Sequence, residues 1–534
     1  MKKDIKNTVL DKAIAHVAPR MAVKRFAARQ TLAMLEGFAG ASKTKRSLFG
    51  LSNGSQDADS WLYGERQTLI DRSHELTRSD PIASGVINAN CTNIVGAGLK
   101  FHSAINSSYL GMDDEQAEAV ETQIEQEFNL WAESVECDYN RQLNFYDLQE
   151  LALRQMFVCG ETIALTPYLQ RGKIPYGLKI QIVEPERLCN PNSGVNGKQG
   201  SGNYLYDGVE KDQSGTPIKY HICSDFPNNY HKGNDLKWQD VTAWGAKTGL
   251  RNIIHVYKMM RPGQTRGIPY LAGIIDSLHN LTKYSKAVLD GAIVQTLFTV
   301  FLKTEGDTEN ILNTANIQDE TGGKASDKDL KLAPGAIYSL KPGESIETAS
   351  PGMPASNFDP FTLSIFRQIG IALEIPYEVL IRHFSSSYSA SRAAILEAWR
   401  FYKTRRVWFA RSWCQIIFES FMYEAVASGR IAAPGYFENP LIQQSYLGAE
   451  WVGPSQGHIN PVDEANAIQL RRDMGLTTMT QETSEYNGGD FEHNIKRIKS
   501  ERETMKDAGI LQDIKSVAPP PGMTGNKIDL TMGG

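Results

Sequence analysis

Carboxylates and glycines stand at several places in the sequence where their spacing could support chemistry. Glu184 and Glu186 flank Pro185 and could act as a paired acid and base, but an ion pair with Arg187 at a strand end explains them equally well. The glycines between positions 194 and 202 imitate a nucleotide loop, yet they lack the strand-to-helix setting that aims backbone amides at a pyrophosphate. Both features therefore predict turns and ion pairs rather than catalytic sites.

The motifs of the common enzyme classes are missing from the sequence. The six cysteines are dispersed, and the ten histidines lack the i, i+3 or i, i+4 spacing that places two imidazoles on one helical face. There is no G-x-x-x-x-G-K-[ST], H-E-x-x-H or G-x-S-x-G motif. We expect reduced, mostly buried thiols, no catalytic residue, no metal and no cofactor, and any ATP-driven motor must be another protein.

Composition limits the kinds of partner. The 534 residues are 41% hydrophobic and 22% charged, with a formal charge of −5, so the whole surface is not suited to gripping nucleic acid through phosphates. Contacts with nucleic acid should be local or weak. No segment approaches the roughly 18 apolar residues of a membrane span, so we expect neither a secreted nor a transmembrane protein.

The two ends of the chain differ from the rest. Residues 1–50 carry eleven lysines and arginines against Asp4, Asp11 and Glu36, and a short amphipathic helix is possible before Pro19. This basic arm is either a flexible terminus or a segment ordered against a partner. Three prolines at 519–521 open a tail that we expect to be disordered.

The pattern after Trp61 predicts a mixed, α+β domain. Helical periodicity covers residues 76–97, with a break at Pro81, and also 114–134 and 145–158. Strand-like runs follow, separated by Gly, Asn and Pro turns, at residues 162–167, 178–183, 218–222 and 253–257. Residues 190–203 predict a surface loop or hairpin tip.

Two helices that run out and back follow this domain. Residues 270–302 predict one helix of about 30 residues, which would reach about 45 Å. A polar stretch at 303–354 with a strand candidate at 336–340 comes next, and a second helix at 360–373 ends before Pro376. A serine-rich loop at 384–391, a helix at 391–429 closed by Gly429, and short helices at 461–474 and 489–508 complete the pattern.

Five segments, in this order, resemble the portal proteins of lambda-like tailed bacteriophages. They span residues 74–101 (ending NCTNIVGAGLKF), 144–161 (NFYDLQELALRQMFVCGE), 178–188 with 207–222 (LKIQIVEPERL and DGVEKDQSGTPIKYHI), 253–275 (IIHVYKMMRPGQTRGIPYLAGII) and 375–400 (IPYEVLIRHFSSSYSASRAAILEAWR). The resemblance covers residues from about 60 to 510.

The resemblance implies a portal fold with a wing, a two-helix stem around a small α/β clip, a tunnel loop, a long helix behind it and a helical crown. The implied regions are a basic arm (1–60), wing (61–266), outgoing stem helix (267–302), clip (303–355), returning stem helix (356–380), tunnel loop (381–391), long wing helix (392–436), crown (437–510) and tail (511–534).

It also implies a non-enzymatic, ring-shaped homo-oligomer, usually of twelve subunits, at one vertex of the virion capsid. Double-stranded DNA would pass through the ring during packaging and ejection. The implied partners are the terminase large subunit, the head-completion or neck proteins, and the major capsid and scaffold proteins. Assembly would take place in the host cytoplasm, without a membrane.

Sparse cations and hydroxyls in the tunnel loop could contact DNA phosphates weakly. The candidates are Arg382, His383, Ser385, Ser386, Ser387, Tyr388 and Arg392. Residues 382–384 depart from the family, which is commonly acidic and glycine-rich there. Two alternatives remain open: a DNA-processing enzyme whose site, a perturbed carboxylate or histidine cluster in a cleft, forms only in three dimensions, and a head or tail protein without a DNA channel.

Overall fold

The computed structural model describes residues 16, 18–21, 23–25, 55–172, 174–191, 194–227, 236–296, 300–304, 344–348, 358–384, 387–456, 461–487, 489 and 491–508. The chain divides into two units, Met1–Trp61 and Leu62–Gly534. Most of the predicted basic arm, the strand candidate at 336–340 and the tail at 511–534 lie outside the described residues. The residues that position the candidate site all belong to the second unit.

Helices and antiparallel sheets make up the described structure, as the mixed pattern predicts. The helices are Ala58–Leu62, Arg66–Ser79, Pro81–Ile94, Ser107–Leu110, Asp114–Ala132, Phe145–Cys159, Ile275–Thr296, Phe358–Ala372, Tyr377–Leu380, Tyr388–Phe409, Gln415–Ala427, Pro440–Tyr446, Pro461–Asp473, Met479–Asn487 and Phe491–Asp507. The strands are β1 Lys100–Ser103, β2 Glu161–Leu165, β3 Gln181–Val183, β4 Gly197–Lys198, β5 Tyr204–Tyr206, β6 Val209–Lys211, β7 Pro217–Cys223, β8 Trp238–Thr242, β9 Ile253–Tyr257, β10 Val300–Thr304, β11 Glu344–Thr348 and β12 Ala449–Val452. A search of the described helices finds none with the length and apolar character needed to span a bilayer.

The sheets are small and antiparallel. β2 lies between β3 and β9, and β4 to β8 form a five-stranded meander in chain order. β1 pairs with β12, and β10 pairs with β11. β2 is the central strand of its sheet, and its first residue is the buried Glu161.

Asp80 ends one helix and begins the next, which explains the predicted break at Pro81. Its backbone N–H donates to the carbonyl of Leu76, while its carboxylate accepts from the amides of Ile82 and Ala83 at 2.9 Å each. Pro81 at the first helical position has no N–H that would need a partner. The local chemistry of two residues therefore fixes the corner.

The helix predicted at 270–302 is shorter than its pattern indicated. It runs from Ile275 to Thr296, about 33 Å at 1.5 Å per residue, and β10 occupies Val300–Thr304. The prediction that Leu302 is helical is wrong, because an apolar run with β-branched and aromatic residues fits a strand as well as a helix. β11 then leads back to the helix Phe358–Ala372.

One helical rod of 40 residues, Tyr388 to Ala427, crosses the core, and we call it the long helix. It contains a π turn at Ala410–Cys414 and ends before Gly429, whose φ of +71° confirms the predicted carboxy-terminal cap. Trp413 in the π turn stacks on Phe145 and Phe409, with ring centroids 5.5 and 5.6 Å apart. Such aromatic pairs contribute about 0.5–1.5 kcal/mol each beyond their buried area, so this rod is firmly packed.

Candidate nucleic-acid contact loop

The predicted loop follows a short helix, Tyr377–Leu380, that ends in a Schellman motif. The amide of Arg382 donates to the carbonyl of Val379 at 3.3 Å, and the amide of His383 donates to that of Glu378 at 3.0 Å. Arg382 occupies the left-handed position of this motif with φ +53°, where glycine is the usual residue. The family is commonly glycine-rich at residues 382–384, so in this chain an arginine occupies a positive-φ position that glycine adopts more readily.

Glu374 repeats this arrangement at the end of the preceding helix, Phe358–Ala372. Its φ is +58°, its amide donates to Ile371, and the amide of Ile375 donates to Gly370. An L-residue in this conformation costs about 1–2 kcal/mol relative to its right-handed form. Two such residues, eight positions apart, bracket Tyr377–Leu380, so the segment leading to the loop stores backbone strain at both ends.

The described candidate residues all face solvent, but they do not all lie in the loop. Ser387 accepts a hydrogen bond from the amide of Ala390 at 3.4 Å and so caps the long helix. The helix therefore begins at Tyr388 rather than Ser391, which places Tyr388 and Arg392 one turn apart on its first two turns. Arg382, His383, Ser387, Tyr388 and Arg392 are exposed, whereas Ser385 and Ser386 lie outside the described residues.

A cavity of about 890 Å³ lies beside this segment. Apolar side chains line it, among them Ile371, Phe401 and Trp408, and charged residues surround them. Ile371 is 81% exposed, a high value for a large aliphatic side chain. Mixed apolar and charged lining of this kind is typical of a protein contact surface rather than of a phosphate-binding one.

Arg406 ties the long helix to the rest of the core. Its guanidinium donates to the carbonyls of Asn93 and Ile94 at 2.9 Å, where the helix Pro81–Ile94 ends, and to Pro454 at 2.8 Å. Partial burial lowers the pKa of Arg406 to about 10, which still leaves it cationic at neutral pH. A cation at a helix carboxy terminus is favourable, so Arg406 holds the long helix, at whose amino end the loop lies, against the helix Pro81–Ile94.

A buried charge cluster lies at the start of β2. The Glu161 carboxylate accepts hydrogen bonds from Arg266 Nε at 2.9 Å and Arg66 at 3.2 Å, and it contacts His255 Nε2 at 3.0 Å. Arg66 also pairs with Asp207 at 2.6 Å. Two carboxylates and two guanidinium groups make the cluster neutral, which is the condition for burying so many charges.

Burial by itself disfavours the ionised form of Glu161, but Arg266 and His255 outweigh that cost and hold its pKa well below the usual range. Burial also lowers the pKa of His255, so its imidazole is neutral at pH 7 and donates to Glu161. Glu161 and Arg266 have no exposed surface. The enzyme alternative required perturbed groups in a cleft, whereas the perturbed Glu161 and His255 side chains are 0% and 4% exposed.

Gly160 and Gly267, beside these charged residues, bring two chain segments into backbone contact. A Cβ at Gly160 would overlap the backbone of Ile268, and one at Gly267 would overlap the carbonyl of Gly160. Gly160 also has φ +88°. Glu161 accepts the amide of Gly267 at 2.8 Å. The sequence segments 144–161 and 253–275 therefore meet here, and their characteristic residues serve packing.

His74, Cys159 and Glu186, which are far apart in the sequence, lie together in the fold. One ligand atom from each lies within 4.8 Å of the other two. The sequence shows no histidine beside a cysteine at metal-ligand spacing, and Cys159 meets His74 only through the fold. Sequence spacing could not reveal the cluster, because its members are 85 and 27 positions apart on three elements. All six cysteines are free thiols, as predicted.

The family model described as phage portal protein, lambda family, matches residues 44–406. The portal protein of Escherichia phage N15 is 24% identical over 493 residues, covering 89% of this chain and 90% of that protein. Portal protein B of Escherichia phage lambda is 23% identical over 453 residues, covering 82% and 83%.

Solved structures give a more distant likeness. A chain in the virion of a native gene transfer agent particle matches with a TM-score of 0.42 and 11% identity, over 78% of this chain and 91% of that one. The family model, which spans more than half of the chain, decides the assignment. Together with the five sequence segments and the contacts that join them, it shows that this chain belongs to the lambda family of phage portal proteins.

Proposed function

We propose that this portal protein forms a ring, with twelve subunits as the expected number, at one capsid vertex, and that double-stranded DNA enters and leaves the head through it. The observation that carries the proposal is that Arg382, Tyr388 and Arg392 are exposed between a strained turn and a firmly anchored helix. In this proposal the regions named from the resemblance keep their roles as wing, stem, clip, tunnel loop, long helix and crown. The chain itself would have no catalytic activity.

The loop would touch DNA without holding it. Each neutralised phosphate steepens the dependence of log affinity on log salt by about 0.9. For a duplex that contacted about six loop arginines at once, the slope of log affinity against log salt would be about −5. Such a contact would weaken steeply as the salt concentration rises. Arg382 and Arg392 are exposed side chains on a net-acidic chain. We therefore expect their contacts with DNA phosphates to be few and to be screened by salt.

A second copy of the chain would cover the apolar surface beside the loop. Leu289 on the helix Ile275–Thr296 is 60% exposed, and Phe361 on its antiparallel partner is 48% exposed. Ile371, on the same helix as Phe361, is 81% exposed. A ring closes through contacts between two different surfaces of neighbouring subunits, and exposed apolar side chains such as these would be buried there.

The remaining partners follow from family membership. The terminase large subunit and later the neck proteins would dock on the proposed clip, whose residues lie mostly outside the described part of the chain. The major capsid and scaffold proteins would contact the wing or the basic arm. Assembly would take place in the host cytoplasm.

Charge reversal in the loop tests the DNA role. We expect the double variant Arg382→Glu, Arg392→Glu to form rings in negative-stain images but to reduce DNA packaged per head. The control is Arg78→Glu, which reverses an exposed arginine on a proposed wing helix. Normal packaging by the loop variant would contradict the loop assignment.

A separate variant tests the ring contact. Ile371→Asp should prevent rings from forming while leaving the subunit folded, as judged by circular dichroism, because it puts a charge into the proposed subunit contact. Intact rings of Ile371→Asp would show that another surface closes the ring.

A further inference from the structure

The three residues His74, Cys159 and Glu186 have the composition of a transition-metal site. They provide one imidazole nitrogen, one thiolate sulfur and one carboxylate oxygen, all ligands that Zn²⁺ accepts. Thiolate and imidazole together select against Mg²⁺ and Ca²⁺, which prefer oxygen. In the binding form the ligands carry two negative charges, so a divalent cation makes the site neutral, as a partly buried position requires.

Two of the three distances between ligand atoms are close to those of a small tetrahedral centre, and the third is at most 4.8 Å. Cys159 Sγ lies 3.4 Å from His74 Nε2, and His74 Nε2 lies 3.0 Å from Glu186 Oε1. Metal–ligand bonds of about 2.0–2.3 Å at a tetrahedral angle place neighbouring ligand atoms about 3.4–3.6 Å apart. The nitrogen–sulfur distance already has this value, and the nitrogen and oxygen need to separate by only about 0.5 Å.

Glu186 adds an independent observation. Its side chain is only 11% exposed, and among the described residues its Oε2 is buried without a hydrogen-bond partner. A buried carboxylate oxygen left unpaired is costly, and a cation next to the carboxylate would offset that cost. His74, by contrast, is 45% exposed and leaves a path from solvent to the site.

The three ligands lie on separate elements that meet beside the buried charge cluster. His74 belongs to the helix Arg66–Ser79, Cys159 ends the helix Phe145–Cys159, and Glu186 lies in the 3₁₀ turn Pro185–Arg187. The carbonyl of Pro185 accepts from Arg266 at 2.8 Å, which joins the turn to the cluster. A metal here would therefore link the same elements that the cluster links.

We propose that His74, Cys159 and Glu186 bind one Zn²⁺ per subunit, with the fourth position open to water. Binding releases the thiol proton of Cys159 to solvent and takes His74 as the neutral tautomer that carries its proton on Nδ1, so that Nε2 can bind the metal. The ion acts as a structural clamp in the wing, and its presence does not depend on the proposed passage of DNA.

Metal titration of the full-length chain tests the proposal. The protein is freed of metal with a chelator, kept reduced and titrated with Co²⁺ as a spectroscopic probe, then with Zn²⁺. We expect one equivalent of Co²⁺ to give the near-ultraviolet charge-transfer band of a thiolate ligand, Zn²⁺ to displace it, and Zn²⁺ to raise the thermal unfolding midpoint.

The variants identify the ligands. His74→Gln and Glu186→Gln should each weaken Co²⁺ binding at least tenfold, and His74→Gln changes a half-exposed side chain, so it should fold normally. Cys159→Ser should abolish the thiolate band. Cys91→Ser, at another buried cysteine, is the matched control and should keep it. Failure of the wild-type chain to bind Co²⁺ stoichiometrically, loss of the band in Cys91→Ser, or unchanged affinity in His74→Gln would overturn the proposal.

Discussion

Replacing Arg382 by glycine should stabilise the turn before the proposed tunnel loop, whereas replacing it by alanine should not. Both substitutions remove the charge, and both keep the two backbone hydrogen bonds of the Schellman motif. They differ only in the Cβ, which at φ +53° costs an L-residue about 1–2 kcal/mol. Glycine loses about 0.5–1 kcal/mol of this advantage through its greater freedom in the unfolded chain.

The net difference is therefore about 0.5–1 kcal/mol in favour of Arg382→Gly, which corresponds to a twofold to fivefold change in a local opening equilibrium. Hydrogen exchange measures it directly, because the amides of Arg382 and His383 are the donors of the motif. In a peptide covering residues 377–384, these amides should exchange about twofold to fivefold more slowly in Arg382→Gly than in Arg382→Ala. Arg382→Asn should lie between the two, since asparagine tolerates this conformation better than alanine.

The same series separates charge from backbone in function. If the cation is what matters for DNA passage, glycine, asparagine and alanine variants lose packaging to the same extent and Arg382→Lys restores it. If the strained turn matters, packaging follows the order of the exchange rates, with glycine and alanine at the two extremes and asparagine between them. Equal exchange rates in Arg382→Gly and Arg382→Ala would refute the reasoning from backbone strain.

Three further changes test the core around the site. Gly160→Ala should prevent soluble expression of folded chain, because its Cβ would overlap the backbone of Ile268 at an unfavourable φ; Gly64→Ala, with a positive φ but open space, is the control. Glu161→Gln should lower the free energy of unfolding by about 3–5 kcal/mol, since it leaves the buried Arg66 and Arg266 with Asp207 as their one remaining counterion in the cluster. The folded-state pKa of Glu161 is lowered, so its contribution to stability is complete above the ordinary glutamate pKa and is lost as pH falls through the lowered value. On the acid side, the thermal unfolding midpoint should therefore depend less steeply on pH in Glu161→Gln than in the wild type. Arg406→Met should cost about 2–3 kcal/mol in urea unfolding by removing three charged hydrogen bonds, and a cost below 0.5 kcal/mol would contradict its anchoring role.

Local signals in the sequence were sufficient for the elements whose ends depend on one or two neighbouring residues. Pro81 predicted a break between helices, and Gly429 predicted the end of the long helix; both are confirmed. The start of that helix was less predictable, because several neighbouring serines could each cap a helix. Only the structure shows that Ser387 does so, by accepting a hydrogen bond from the amide of Ala390. The strand at Val300–Thr304 was missed because its apolar run has no period that separates strand from helix.

Contacts between distant residues were beyond the reach of sequence spacing. Glu161 and Arg266 lie 105 positions apart, and neither residue type alone predicts burial. The positive φ of Arg382 was hidden for a related reason, since glycine is the only strong sequence sign of that conformation. The motifs identified the family, but the packing role of their residues is visible only in the fold, where the segments lie next to each other.

The backbone contact between Gly160 and Gly267 has a mechanical consequence. No free linker separates β2 from the segment that enters the helix Ile275–Thr296, because the glycine contact and the Glu161–Arg266 pair clamp that segment where it begins. We therefore expect a force applied along this helix to be transmitted directly to the sheet and core, so that the helix, sheet and core move together. We expect deformation to occur instead at the strained turns at Glu374 and Arg382, which makes the proposed loop the part that moves.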